Sequence, residues 1–365
     1  MNTARFSASA ALALMLSVAI AGAAEEPVLN VFNWADYVAP ETISNFEQEF
    51  GIEVNYDVYD STEVVEARLL SGNTGYDVVF HSAEYSARLI RVGVYQPLDR
   101  SRLSHWSELD PWVMEKLSSY DPGNQYGIPY MWGSTGFAYN VDRVLERMPD
   151  APLDSAAMLF DPEVVRHFAD CGVSMTNEPT DVIPLVLNYL GHDPNSMDAE
   201  HLALAEERLK QVRPYIRYFS SARMINDLPN EEICVAMSWS GDYQTAMQRA
   251  REVGANVRLE YTVPREGSSL WFDGIYIPAD APHPNNAHLF LDYLMRPEVM
   301  ASISNYTFYA NAVTSSVPLL SPELRDDPSV LPPMSDRERM SVLHVLGPKQ
   351  ERLRTRAWAR VKSGL

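Results

Sequence analysis

The sequence predicts an α/β protein. Short apolar runs alternate with segments of helical periodicity, Gly or Pro marks most changeovers, and the first units read βαβαβ. Residues 28–32 form a short apolar run, expected as a buried strand. Residues 40–50 place Ile43, Phe46 and Phe50 at helical spacing behind an acidic first turn, and Gly51 stops the helix. Residues 52–58 alternate as a strand does, residues 63–70 are helical up to Gly72, and residues 77–80 are again a buried strand. Strands joined through helices predict a largely parallel sheet. Further along, residues 136–139, 233–237 and 275–277 read as strands. Residues 199–212, 243–253 and 284–295 read as helices, the last halted before Pro297. The Pro- and Asp-rich residues 320–333 read as a loop.

A chain of 365 residues with 46% hydrophobic and 21% charged residues buries a large core and suggests about two domains. It carries 29 Lys and Arg against 49 Asp and Glu, a net charge of −20. That balance argues against nucleic acid and against an anionic membrane surface as partners. It is compatible with a cationic ligand, although many acidic proteins are acidic only for solubility. The first 23 residues differ from the rest. Arg5 precedes an apolar run over residues 10–21, Ala21-Gly22-Ala23 supplies small residues, and Glu25 and Glu26 open an acidic chain. This reads as a secretory signal peptide, since the run is shorter than the roughly 20 residues of a membrane span. It contains no cysteine for lipidation. An exported, free and monomeric protein is expected.

Two cysteines are present, Cys171 and Cys234. In an oxidising compartment they are expected to pair, closing a loop of 63 residues and stabilising by about 4 kcal/mol in the chain-entropy picture. Two buried free thiols are the alternative. Nucleotide-binding Gly-rich loops, zinc motifs and nucleophile elbows are missing from the sequence. His283 and His288, close together at a helix start, read as a solvated face. No enzyme activity, metal or cofactor is expected.

Three expected strand ends carry a ring and an aspartate together: Trp34-Ala35-Asp36-Tyr37, Trp239-Ser240-Gly241-Asp242, and Trp271-Phe272-Asp273. Ring faces attract an alkyl ammonium by roughly 0.5–2 kcal/mol and cover its methylenes. A carboxylate adds charge-assisted hydrogen bonds of roughly 1.5–3 kcal/mol each. The plainer reading makes each Trp a core residue and each Asp a helix cap. Ligands of open α/β sheets sit beyond strand carboxyl ends, which favours the binding reading. Small, polar residues within 128–136, and again within 264–269, have the composition of a chain crossing between two lobes. Two lobes with a cleft would gather the three clusters; one large sheet with long loops would not.

The run Val31-Phe32-Asn33-Trp34-Ala35-Asp36-Tyr37-Val38-Ala39-Pro40 resembles the opening of periplasmic polyamine-binding proteins, the putrescine and spermidine receptors of ABC importers. So do Gly75-Tyr76-Asp77-Val78-Val79, Pro129-Tyr130-Met131-Trp132, Asn188-Tyr189-Leu190-Gly191, Ile225-Asn226-Asp227, Ser238-Trp239-Ser240-Gly241-Asp242 and Phe308-Tyr309-Ala310-Asn311. The resemblance covers nearly the whole chain after residue 23. It implies two α/β lobes joined by several hinge crossings, closing on a ligand. Residues 24–133 and 263–308 would form lobe 1, and residues 134–262 and 309–365 lobe 2. Trp34, Tyr37, Trp239, Trp271 and Tyr309 would wall a methylene chain, Asp36, Asp181, Asp242 and Asp273 would hold ammonium ends, and Ser82 would face the ligand. The resemblance also implies the Cys171–Cys234 disulfide and an inner-membrane permease as partner.

Departures from the resembled pattern bear on which polyamine is bound. Ala35 stands where relatives often carry Ser or Thr, Asp181 where Glu is common, and Trp271 where putrescine-preferring relatives tend to have Phe. Glu84, Glu178 and Ser221 are further candidates at the edge of the site. Four or more carboxylates and a larger ring suit a triamine, so spermidine is expected over putrescine. A putrescine preference, or a sensor presenting its closed form to a signalling partner, are the alternatives.

Overall fold

The computed structural model describes residues 25–364 apart from Asp60; the expected signal peptide, residues 1–23, lies outside the described residues. Among the described residues eleven strands form: β1 (Val28–Trp34), β2 (Glu53–Tyr59), β3 (Val78–Ser82), β4 (Gly127–Asn140), β5 (Val173–Met175), β6 (Ile216–Phe219), β7 (Val235–Trp239), β8 (Leu259–Thr262), β9 (Ser268–Tyr276), β10 (Ala310–Asn311) and β11 (Met340–Val342). They follow the order β2-β1-β3-β9-β4-β7-β5-β6, with β8 and β10 on β4 and β11 on β9.

β4 is buried along all 14 residues. Its first part pairs with β9 and its second part with β7 and β8. One strand therefore threads two hydrophobic cores. The first gathers Leu29, Phe80, Ile275 and Phe290; the second gathers Phe137, Met158, Val173, Leu187 and Val235. The chain returns between β8 and β9, and crosses a third time between β11 and the C-terminal helix Pro348–Ser363. The result is a two-lobed α/β architecture.

Three expectations are corrected here. The sheet is mixed: β1 is parallel to β2 and β3, but β9 is antiparallel to β3 and β4, and β4 to β7. Strands that carry the chain across and back must run against their neighbours. Residues 309–365 do not belong together. Ala310, Val313, Leu324, Val330 and Met340 pack in the first core, and within 309–365 the second core receives Trp358 and Val361 of the last helix. His283 and His288 are not a solvated face. His288 Nε2 accepts the Asp99 N–H at 2.9 Å, and the His283 N–H donates to buried Asp77 at 2.6 Å.

The helix Pro40–Phe50 runs as its periodicity predicts, with Pro at its start and Gly51 in the left-handed region at φ 66°. The helix Ala199–Val212 likewise starts on the Asp198 cap. Cys171 and Cys234 form a disulfide, with Cα atoms 5.5 Å apart, tying the chain ahead of β5 to the chain ahead of β7. Among the described residues, no helix is long and apolar enough to cross a membrane.

Candidate binding site

A cavity of about 630 Å³ lies where the two cores meet. Lobe 1 contributes Trp34, Tyr37, Ser82, Glu84, Trp271, Asp273 and Tyr309; lobe 2 contributes Glu178, Asp181, Ser221, Trp239 and Asp242. Local structure explains how they converge. Trp34, Ser82 and Trp239 are the last residues of β1, β3 and β7. Glu84, Asp181 and Asp242 each occupy the first turn of a helix: Ala83–Arg91, Pro179–Tyr189 and Ser240–Glu252. Helix N-termini favour negative charge, so these positions accept carboxylates without a cationic side chain. Asp273 comes from within β9, opposite Ser82 across the β3–β9 ladder, and not from a strand end as expected.

Two carboxylates are held by tyrosines. The Tyr37 hydroxyl donates to Asp273 at 2.6 Å, and the Tyr309 hydroxyl to Asp242 at 3.0 Å. Tyr309 stands edge-on to Trp271 at 5.0 Å between centroids and edge-on to Tyr37 at 6.2 Å. These near-perpendicular rings form a box with an acid at two corners. Each Tyr–Asp bond leaves the carboxylate lone pairs for a further donor. Two glycines make room. A Cβ built on Gly241 would overlap the Tyr309 ring, and one on Gly133 the Trp271 ring. Burial pushes Asp242 and Asp273 up to about 6, although the bonds from Tyr309 and Tyr37 act the other way.

A second group of acids in the cavity is held differently. Asp181 accepts from Thr135 Oγ1 at 2.8 Å and from the Trp239 side chain, and burial raises it. Burial raises Glu84 to about 7, against the pull of Arg354. Ser221 donates to Glu178 at 3.3 Å. Arg354, on the C-terminal helix and almost fully buried, also acts on Asp181 and donates to Glu351 at 2.8 Å.

Asp36 and Ala35 are not brought to the cavity. Both are exposed and absent from its lining, and Asp36 sits at φ 54° in the turn after β1. That left-handed turn points the pair outward while Trp34 and Tyr37 point in. Sequence reasoning missed Tyr85, Tyr120, Ser61, Thr180 and Leu343, which also line the cavity, and the positioning residues Thr135, Gly133 and Gly241. Tyr85 follows Glu84 at a helix start and was within reach of the strand-end rule. Tyr120 and Leu343 arrive from distant loops with no local signal.

The family described as bacterial extracellular solute-binding protein matches residues 41–332. The chain belongs to this family. It is 46% identical over 344 residues to the putrescine-binding periplasmic protein PotF of Escherichia coli (strain K12), covering 94% of this chain and 93% of that one. It is 43% identical over 357 residues to the putrescine-binding periplasmic protein SpuD of Pseudomonas aeruginosa, covering 97% of each. The substrate-binding protein PotD of a spermidine/putrescine ABC transporter from Streptococcus pneumoniae superposes with a TM-score of 0.81 over 92% of this chain and 99% of that one. At 24% identity that likeness speaks for the fold alone. These solute-binding proteins are transport components and not enzymes. Two lobes around a lined cavity are the architecture such proteins need, because ligand contacts made from both sides favour closure.

Proposed function

We propose that the protein captures aliphatic polyamines outside the inner membrane and delivers them to the permease of an ABC importer. The observation that carries this is the ring box with Asp242 and Asp273 at its corners. Alkyl ammonium groups supply both the donors and the charge these half-buried acids lack, while Trp34, Trp239, Trp271 and Tyr309 cover the methylenes between them. The high identity to receptors named for putrescine supports the same ligand class. Export through a signal peptide in residues 1–23 and a periplasmic location belong to this proposal.

For chain length, we propose spermidine over putrescine. Trp271 enlarges one wall, and Glu84, Asp181 and Glu178 extend the acidic lining beyond what two ammonium groups use. The names of the relatives favour the diamine instead, so a putrescine preference is the second reading. Calorimetry on ligand-stripped protein tests both levels. Binding of either amine with micromolar or better affinity supports the receptor. Absence of binding overturns it, and putrescine binding tighter than spermidine overturns the chain-length choice alone. Loss of polyamine uptake on gene deletion would support the permease as the partner over a signalling protein.

A further inference from the structure

The C-terminal helix Pro348–Ser363 carries a buried cation that the polyamine reading does not use. Arg354 is 4% exposed and lies outside the cavity's lining. Three placements set it behind the second group of acids. Its helix packs on Pro179–Tyr189, whose first turn carries Asp181. Leu343 lines both the cavity and a small neighbouring pocket that is lined by Arg354, Ile183 and Pro184. Glu84 and Arg88 stand four residues apart on one face of the helix Ala83–Arg91. Glu84 lines the cavity, while Arg88 lines an outer groove together with Glu351, one turn before Arg354.

A buried guanidinium needs its charge matched and its donors used. Among the described residues the one hydrogen bond of the Arg354 side chain goes to Glu351, at 2.8 Å, and its buried Nε has no partner. The Glu351 side chain is 38% exposed, so water screens the compensation it gives. The remaining field reaches the cavity acids: burial raises Glu84 and Asp181, and the charge of Arg354 pulls both back.

We infer that Arg354 is a specificity-determining residue, a cation of the chain's own that competes with a ligand's additional ammonium groups for Glu84 and Asp181 and so disfavours amines of higher charge. The inference rests on the polyamine reading above. A diamine finds its two carboxylates at Asp242 and Asp273 and is little affected. Each further ammonium must sit beside acids whose charge Arg354 already partly offsets, so it gains less there. The lining decides whether a third ammonium is accepted; Arg354 decides how strongly a third or a fourth is favoured.

The test is calorimetry on the full exported chain, stripped of ligand, with putrescine, spermidine and the tetra-amine spermine. In Arg354→Gln the affinity for spermine is expected to rise about tenfold relative to putrescine, with spermidine between them. Arg354→Lys keeps the charge and should restore the wild-type ranking. Glu351→Gln removes the counter-charge at a more exposed position and should shift the ratio a few-fold the opposite way; it reads the same field should Arg354→Gln fail to fold. Arg352→Gln removes an exposed cation from the same helix and should leave the ratio as it is. An unchanged ratio in Arg354→Gln, an equal shift in Arg352→Gln, or a Lys variant that behaves like the Gln variant overturns the inference. So does a Glu351→Gln ratio that stays put or moves toward spermine. Absence of polyamine binding by the wild type overturns the transport reading and the inference with it, whereas wild-type binding with unmoved ratios in the variants overturns the inference alone.

Discussion

Two pairs of acids line the cavity in opposite electrostatic settings. At the ring box, Asp242 and Asp273 are raised by burial and steadied by tyrosine hydroxyls, with Arg249 acting only at a distance on Asp242. The other pair, Glu84 and Asp181, shares the influence of buried Arg354. The first pair is therefore incomplete without a ligand cation, and the second is partly balanced from within. Counting carboxylates from sequence treats the two alike; their surroundings make them unequal.

The largest expected effect follows from that inequality. Asp273→Asn should weaken polyamine binding by about 100-fold, the scale of removing one charge from a buried pair. Glu84→Gln should cost less than about tenfold, because its partner field already includes Arg354. Calorimetry on both variants measures the difference, and equal losses would erase the distinction between the pairs. Acidification should act next. Asp242 and Asp273 titrate near 6 in the ligand-free protein, and an ammonium needs them ionised. Affinity is therefore full above pH 6 and falls as pH drops through it, by about 100-fold between pH 7 and 5 if both protonate. The same raised values mean that ionisation weakens the ligand-free fold as pH rises through 6, a cost that ligand removes. Titrating Kd against pH reads the first effect, and a Tm series with and without polyamine reads the second.

Geometry should matter somewhat less than charge. Gly241→Ala would push the Tyr309 ring off Asp242, and binding should weaken by about tenfold, the loss of one charge-assisted hydrogen bond. A crystal structure of the variant retaining the Tyr309–Asp242 bond would refute this account. The smallest effect is expected from Trp271→Phe, a few-fold weakening that is greater for spermidine than for putrescine. Equal losses for the two amines would show that this ring does not sense chain length.

Much of the binding box was legible in the sequence because strand ends carry their chemistry locally. Trp34, Trp239 and Asp242 stand beside an apolar run and a helix start, and both signals are short-range. Asp36 looked equivalent to Asp242 by the same rule, but a left-handed turn faces it outward. Nothing local distinguishes a carboxylate three residues into a helix from one in a turn. Arg354 gave no signal at all, because its influence on Glu84 crosses some 270 residues of chain.

Hydrophobic periodicity, paired cysteines and ring–acid clusters are properties of neighbouring residues, so the sequence alone determined the α/β class, the pairing of Cys171 with Cys234 as the expected disulfide, and most of the cavity's cast. Tertiary structure decided the mixed sheet direction, the packing of residues 310–340 into lobe 1, the exclusion of Asp36 and the unequal charge balance of the cavity's two pairs of acids. Those features depend on which distant segments meet and on how much water their meeting removes, and neither is written in any local stretch of chain.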